Sequence, residues 1–252
     1  MGPALLSLFQ ATYRCFMLHA NCPEKSQTPR VSSLEDFLNH AASAQTVYIG
    51  EDNHLDRKHI YAQINLIKGF AATNDNLILA WELFPWFVHD EFSKIADAGE
   101  DPSKEGMRAE AYGALSKCFS GDFYAARKLI QEVSKFSGKV RIVPIEPVCK
   151  HNSKTRQQVS EALAEQIDGL NGKVVAILGE TRITSERGNE SSVPYILDSN
   201  PKRKRKASDS VALLQFTQPE EEIRSRYPYT GVIFAPEENS ADRITTYRLR
   251  LV

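Results

Sequence analysis

Four apolar, β-branched runs in this chain are each followed by a glutamate. The first leads into Gly50-Glu51-Asp52-Asn53-His54 and the second into Trp81-Glu82-Leu83-Phe84. The third leads into Ile145-Glu146-Pro147, with His151 and Asn152 just beyond, and the fourth into Gly179-Glu180-Thr181-Arg182. If the runs are parallel strands, the glutamates share the carboxyl edge of one sheet, where open α/β sheets bind their ligands. Clustered carboxylates repel, so such an edge needs protonated acids, cations or a metal. Arg182, His54 and His151 are the available counter-charges. A histidine beside carboxylates suits proton transfer near neutral pH, and Gly50 permits close backbone approach to a ligand. A competing reading contains no chemistry: the glutamates cap helices and pair with Arg156 or Arg182. That alternative weighs most on Glu146 and His151, and His59 reads as a helix-surface residue.

Other chemistries have less behind them. Histidine and carboxylate suit zinc or manganese, but no HExxH or comparable local pair fixes a metal site, so no residue is assigned as a metal ligand. There is no GxSxG elbow, and no cysteine adjoins a candidate catalytic histidine. Neither a P-loop nor GxGxxG occurs, which leaves nucleotide binding without support.

The elements that must position these residues follow from hydropathy. Strands are expected at Thr46–Gly50, Leu77–Trp81, Val140–Ile145, Lys173–Leu178, Ser210–Phe216, Gly231–Ala235 and Ile244–Val252. Near-continuous apolar runs of this kind suit strands covered on both faces. Helical stripes lie between them at His59–Phe70, Phe123–Phe136 and Lys154–Leu170. Alternating strands and helices predict an α/β fold, a mostly parallel central sheet with helices on both faces. The polar stretch Gly99–Gly106 reads as a loop inside a helical insertion between the second and third strands. With no internal repeat and no clear linker, a single domain over residues 45–252 is expected, preceded by an N-terminal helical or leader region over 1–44.

Composition bounds the rest. A net charge of -1 supplies no global field for nucleic acid or anionic lipid. Cys15, Cys22, Cys118 and Cys149 form neither a CxxC pair nor a disulfide framework, so they read as free thiols in a reducing compartment. No apolar run approaches the ~20 residues that span a bilayer. The first 20 residues are fairly apolar but lack a basic start and are interrupted by Gln10, Arg14 and His19. Gly2 is not followed by Ser or Thr at position 6, which is Leu6, so the myristoylation pattern fails. The run Pro201-Lys-Arg-Lys-Arg-Lys206 has two readings, a solvated loop or a nuclear localisation signal.

Val47-Tyr-Ile-Gly-Glu-Asp-Asn-His54, the following helix with Gln63, and Leu79-Ala-Trp-Glu-Leu-Phe84 resemble the erythromycin esterase, ChaN and Tiki group of α/β proteins. The Gly-Glu-x-x-His spacing is nearest the erythromycin esterase form. ChaN-like haem-binding members carry Gly-Glu-x-His, one residue shorter. Arg156 and Val193-Pro194 also fall where ChaN-like sequences have similar residues, and the likeness runs over about residues 45–236. One departure matters: Arg182 stands where the group often places a second histidine. It weakens two-histidine catalysis as well as haem or divalent-metal ligation, and leaves His54 as base with Arg182 as a fixed cation.

The resemblance implies a hydrolase-like enzyme acting on a small molecule or peptide. His54 would accept a proton from water, Glu51 or Glu82 would orient or charge it, and Arg182 would stabilise developing negative charge. Glu146, His151, Arg156 and Glu180 are the candidate substrate-binding residues. The alternatives are a module that binds haem or another ligand without turnover, and a non-catalytic interaction protein. The same fold type occurs in bacterial toxins and effectors. The resemblance therefore also implies a soluble virulence effector secreted into the host-cell cytoplasm, with a host protein as partner, or else a protein of the bacterial cytoplasm.

Overall fold

A run apolar on every residue is stable as a strand only when helices cover both faces of its sheet, and the chain is built that way. The computed structural model describes residues 31–52, 56–99, 101–118, 123–136, 138–146, 155–184, 191–217, 233–234 and 244–251. In chain order the strands are β1 (Val31–Ser32), β2 (Thr46–Glu51), β3 (Leu77–Pro85), β4 (Val140–Glu146), β5 (Lys173–Gly179), β6 (Ser210–Phe216), β7 (Ile233–Phe234) and β8 (Thr245–Arg250). The helices are α1 (Leu34–Ser43), α2 (Arg57–Thr73), α3 (His89–Ala98), α4 (Glu105–Lys117), α5 (Phe123–Ser134), α6 (Arg156–Gly169) and α7 (Val193–Ser199).

The sheet order is β1-β7-β8-β6-β2-β5-β3-β4. The strands from β8 to β4 in that order are all parallel, and the two-residue β7 and β1 add antiparallel pairings at one margin. This is the single α/β domain with a mostly parallel sheet that the hydropathy predicts. Of the run Gly231–Ala235, the described part is Ile233–Phe234, which pairs antiparallel with β8. At the opposite margin, β4 carries Pro144, whose missing N–H is tolerated on an edge strand.

Alternation along the strands makes two core layers. Val47, Ile49, Leu79, Trp81, Val175, Ile177, Val211 and Leu213 face α2 and α5, meeting Ile60, Ile64, Ile67, Leu129 and Ile130. Tyr48, Ile78, Ala80, Val174, Ala176, Leu178, Ala212 and Leu214 face α6 and α7, meeting Leu163, Ile167, Val193 and Leu197. Each such aliphatic side chain contributes about 1.5–3 kcal/mol by leaving water. Residues 31–43 belong to the same body: Ser33 caps α1 in a capping box, and Phe37 and Ala41 are fully buried in the first layer. Residues 1–30 lie outside the described residues.

The expected insertion between β3 and β4 is present. α3 and α4 pack as a hairpin, turned at Gly99 with φ 52° and tied by Arg108, which donates to the carbonyls of Gly99 and Asp101. Phe84 links it to the sheet, 5.1 Å from both the Trp81 and the Phe92 ring centroids. No helix among the described residues is long and apolar enough to cross a membrane.

The basic run lies in the loop between α7 and β6 with Lys202 and Lys204 exposed, but one member of it turns inward. Arg205 is only 4 % exposed, and all five of its N–H groups are used. Nε donates to Ile167 O, Nη1 to Gln45 O and Thr46 Oγ1, and Nη2 to Leu170 O and Gly172 O. It thus joins the carboxyl end of α6 to the starts of β2 and β5, where helix carbonyls lack partners and favour a cation. Lys206 donates to Asn200 O, just past α7.

On the first-layer face, Glu132 of α5 collects Lys68 of α2 at 2.7 Å, Lys128 of its own helix and Lys135 just past the helix end. Hydrogen bonds from Lys68 and then Lys135 hold its carboxyl down at about 2, against an ordinary 4.5. The unfolded chain therefore takes up this proton first, so the contribution is full above pH 4.5 and fades as pH falls toward about 2. Glu132→Gln is expected to cost about 1 kcal/mol at pH 7. The gap from wild type in urea melts should close across that acid window; a gap that persists at its lower end contradicts the assignment.

Candidate functional site

The strand ends do meet at one edge, but the sheet divides them. Glu51 closes β2 in register with Gly179 of β5 and Gln215 of β6. Its parity with Val47 and Ile49 turns it toward α2. There it is 3 % exposed and accepts a hydrogen bond from Gln63 Nε2. The same nitrogen lies 3.3 Å from Gln215 Oε1, and both glutamines are fully buried. Asp52 accepts from the Thr217 N–H at 2.9 Å and Thr217 Oγ1 at 3.3 Å, which ties the ends of β2 and β6 together. One turn before Gln63, His59 brings Nε2 to 3.0 Å from Asp52 Oδ1. His59 is fully buried, which overturns its reading as a surface residue. His59 and Gln63 are four residues apart, so they share one face of α2 and dock it on adjacent strand ends.

Glu82 takes the other side. In β3 it is the odd-numbered residues that face α2, so Glu82 is directed toward α6. Its Oε2 accepts the Gly179 N–H at 2.8 Å and its Oε1 lies 3.3 Å from Arg182 Nε. Arg182 Nη1 donates to Arg156 O at 3.1 Å and lies 3.4 Å from Ser160 Oγ. Arg156 Nη2 in return donates to Thr181 O. Glu82, Arg182 and Arg156 are thus brought together, in the pairing that the reading without chemistry described. A 3₁₀ turn over Glu180–Arg182 makes this reach: half-buried Glu180 begins it, and the Glu180 carbonyl accepts the Ile183 and Thr184 N–H groups. The turn sits directly on Gly50. A Cβ there would lie 3.4 Å from Glu180 Cα and 3.1 Å from Ile183 Cδ1, so this glycine makes room for the protein's own chain.

Glu146 ends the edge strand β4 opposite Pro85. It is near Cys118, whose thiol is pushed up by burial first and by the Glu146 charge second. His54 and His151 lie outside the described residues. Among the described residues, no group of three or more His, Cys, Asp or Glu side chains is placed to hold a metal ion.

Sequence reasoning passed over Asp52 and Gln215 and gave Gln63 no task beyond motif order. The available signal was a polar residue in an apolar setting: Gln215 interrupts Val211–Phe216, and Gln63 lies between Ile60 and Ile64 on the buried stripe of α2.

No protein-family model matches the sequence, and no curated protein matches it. Solved structures do share its fold. ChaN of Campylobacter jejuni, a structure described as showing cofacial haem binding, aligns with a TM-score of 0.51 at 14 % identity, over 75 % of this chain and 88 % of that one. A Bacillus cereus protein aligns with a TM-score of 0.54 at 9 % identity, over 97 % of this chain and 98 % of its own. The type III effector HopBA1 aligns at 0.47 and 15 % identity, over 91 % of this chain and 98 % of that one. The chain thus shares its fold with the ChaN and Bacillus cereus structures.

Proposed function

We propose that this chain is an enzyme of hydrolytic class, working at the carboxyl edge of its sheet on the face that α2 covers. Glu51 carries the reading. A carboxylate that is 3 % exposed, at the end of a central strand and bonded to a fully buried amide, is costly as mere architecture. In this reading His54, three residues after Glu51, takes the proton from water, and Glu51 orients or charges it. Glu82 holds Arg182 on the α6 side of the same edge, so Arg182 acts in this reading as a fixed cation that shapes the edge and not as a group touching the Glu51 side. The substrate is a small molecule or a peptide. The setting proposed from the sequence resemblance is that of a secreted effector meeting a host protein.

The haem-binding alternative draws on ChaN, and one described residue speaks against it. At the position where a second histidine was expected stands Arg182, whose guanidinium is no iron ligand and is committed to Glu82.

The test is turnover of an ester and peptide panel by wild type, Glu51→Gln and His54→Ala, with folding monitored by circular dichroism. Each variant is expected to lose at least about a hundredfold in kcat/KM while keeping its fold. Full activity in both sinks the catalytic assignment.

A further inference from the structure

The cluster around Glu51 contains an internal inconsistency that only a bound molecule resolves. Glu51 as a carboxylate only accepts hydrogen bonds, so Gln63 must present its NH2 to it. That NH2 also faces Gln215, which must therefore present its oxygen. Both amide orientations are fixed by this one charge. The consequence is that Gln63 Oε1 and Gln215 Nε2 are turned away from each other's bonding atoms. Both are buried and neither has a hydrogen-bond partner among the described residues. Two fully buried glutamines each keep one strong polar atom unsatisfied, a penalty of the kind folded proteins avoid.

The two atoms are one acceptor and one donor, on the amide groups that touch at 3.3 Å. An occupant must therefore both donate and accept. A cation is opposed by the Gln215 NH2, and an anion by Gln63 Oε1 and Glu51. Full burial of both glutamines leaves a substrate group no approach. A single water both donates and accepts and needs no outside path for a substrate, and buried waters typically make about three such bonds to stranded polar groups. We infer that the chain binds one internal water between Gln63 Oε1 and Gln215 Nε2, bordered by Glu51. Through it the two glutamines act as positioning residues, holding the Glu51 carboxylate in one orientation. The water site stands on the geometry alone; the positioning role rests on the hydrolytic reading.

A high-resolution crystal structure of the full chain tests the site without any substrate. Density for one ordered water within hydrogen-bond distance of Gln63 Oε1 and Gln215 Nε2 is expected. An empty site, or a direct bond between those two atoms, overturns the inference. The variant Gln215→Met keeps the length of the side chain and removes the donor. It should lose the water and, with the substrate found by the panel, lose about tenfold in kcat with little change in KM, the pattern of a misoriented group. Its urea midpoint should stay near that of wild type. Loss of the water with kcat intact overturns the positioning role. If the water is present while Glu51→Gln stays fully active, the role falls with the hydrolytic reading and the water site remains.

Discussion

Arg205→Ala is expected to lower the unfolding free energy by about 3–5 kcal/mol, the largest stability loss of any single substitution in the basic run. The side chain supplies five hydrogen bonds to four carbonyls and one hydroxyl, and those to Ile167 O and Thr46 Oγ1 lie in buried surroundings where the abandoned groups are hardest to satisfy. Its charge also sits near Asp168, which accepts the Lys204 and Arg205 backbone N–H groups at 2.8 and 3.0 Å. Lysine does not replace it: an ammonium has three donors at one point and no planar fork to reach separate carbonyls. Arg205→Lys should therefore lose most of the same free energy. Lys202 and Lys204 are exposed neighbours, and their alanine variants should stay within about 0.5 kcal/mol of wild type. Urea titrations with unchanged slope read all four variants. An Arg205→Ala midpoint equal to that of Lys204→Ala would show that the amino edge is not held by this residue.

Gly50→Ala should cost about 1–3 kcal/mol, although most glycine-to-alanine changes in regular structure are benign. The new Cβ would lie 2.5 Å from Leu214 Cδ2, inside a core where Leu214 is fully buried and Ile183 is 2 % exposed. Leu214 Cδ2, Ile183 Cδ1 or the Glu180–Arg182 turn must shift to admit it. The stability loss should come with a disturbed Glu82–Arg182 pair and lower turnover. Gly69→Ala in α2 and Gly113→Ala in α4 are the controls. A Cβ at either meets nothing within 4 Å, so a gain of about 0.5–1 kcal/mol is expected. If all three substitutions behave alike, the crowding argument at Gly50 is wrong.

The same features mark the limits of what hydropathy could give. Strand positions were legible because both faces of β2, β3, β5 and β6 are buried, which makes each run apolar throughout. That uniformity hides the phase of each strand. A half-exposed strand announces its inward face by alternation; a doubly covered one does not. Glu51 and Glu82 both follow apolar runs and looked equivalent, yet they point to opposite layers. His59 was misread because its burial depends on Asp52, a partner that appears only once α2 lies over β2. Arg205 is one of five adjacent basic residues. What singles it out is the arrival of a helix end and two strand starts at the same place, which no local pattern encodes.

The structure of that amino edge also changes what the basic run can communicate. A receptor that grips consecutive basic side chains needs them on an extended, accessible backbone. Here Arg205 is locked inward and Lys206 is tied to the end of α7. In the folded chain the run therefore offers Lys202 and Lys204 outward as separate charges and not five consecutive ones.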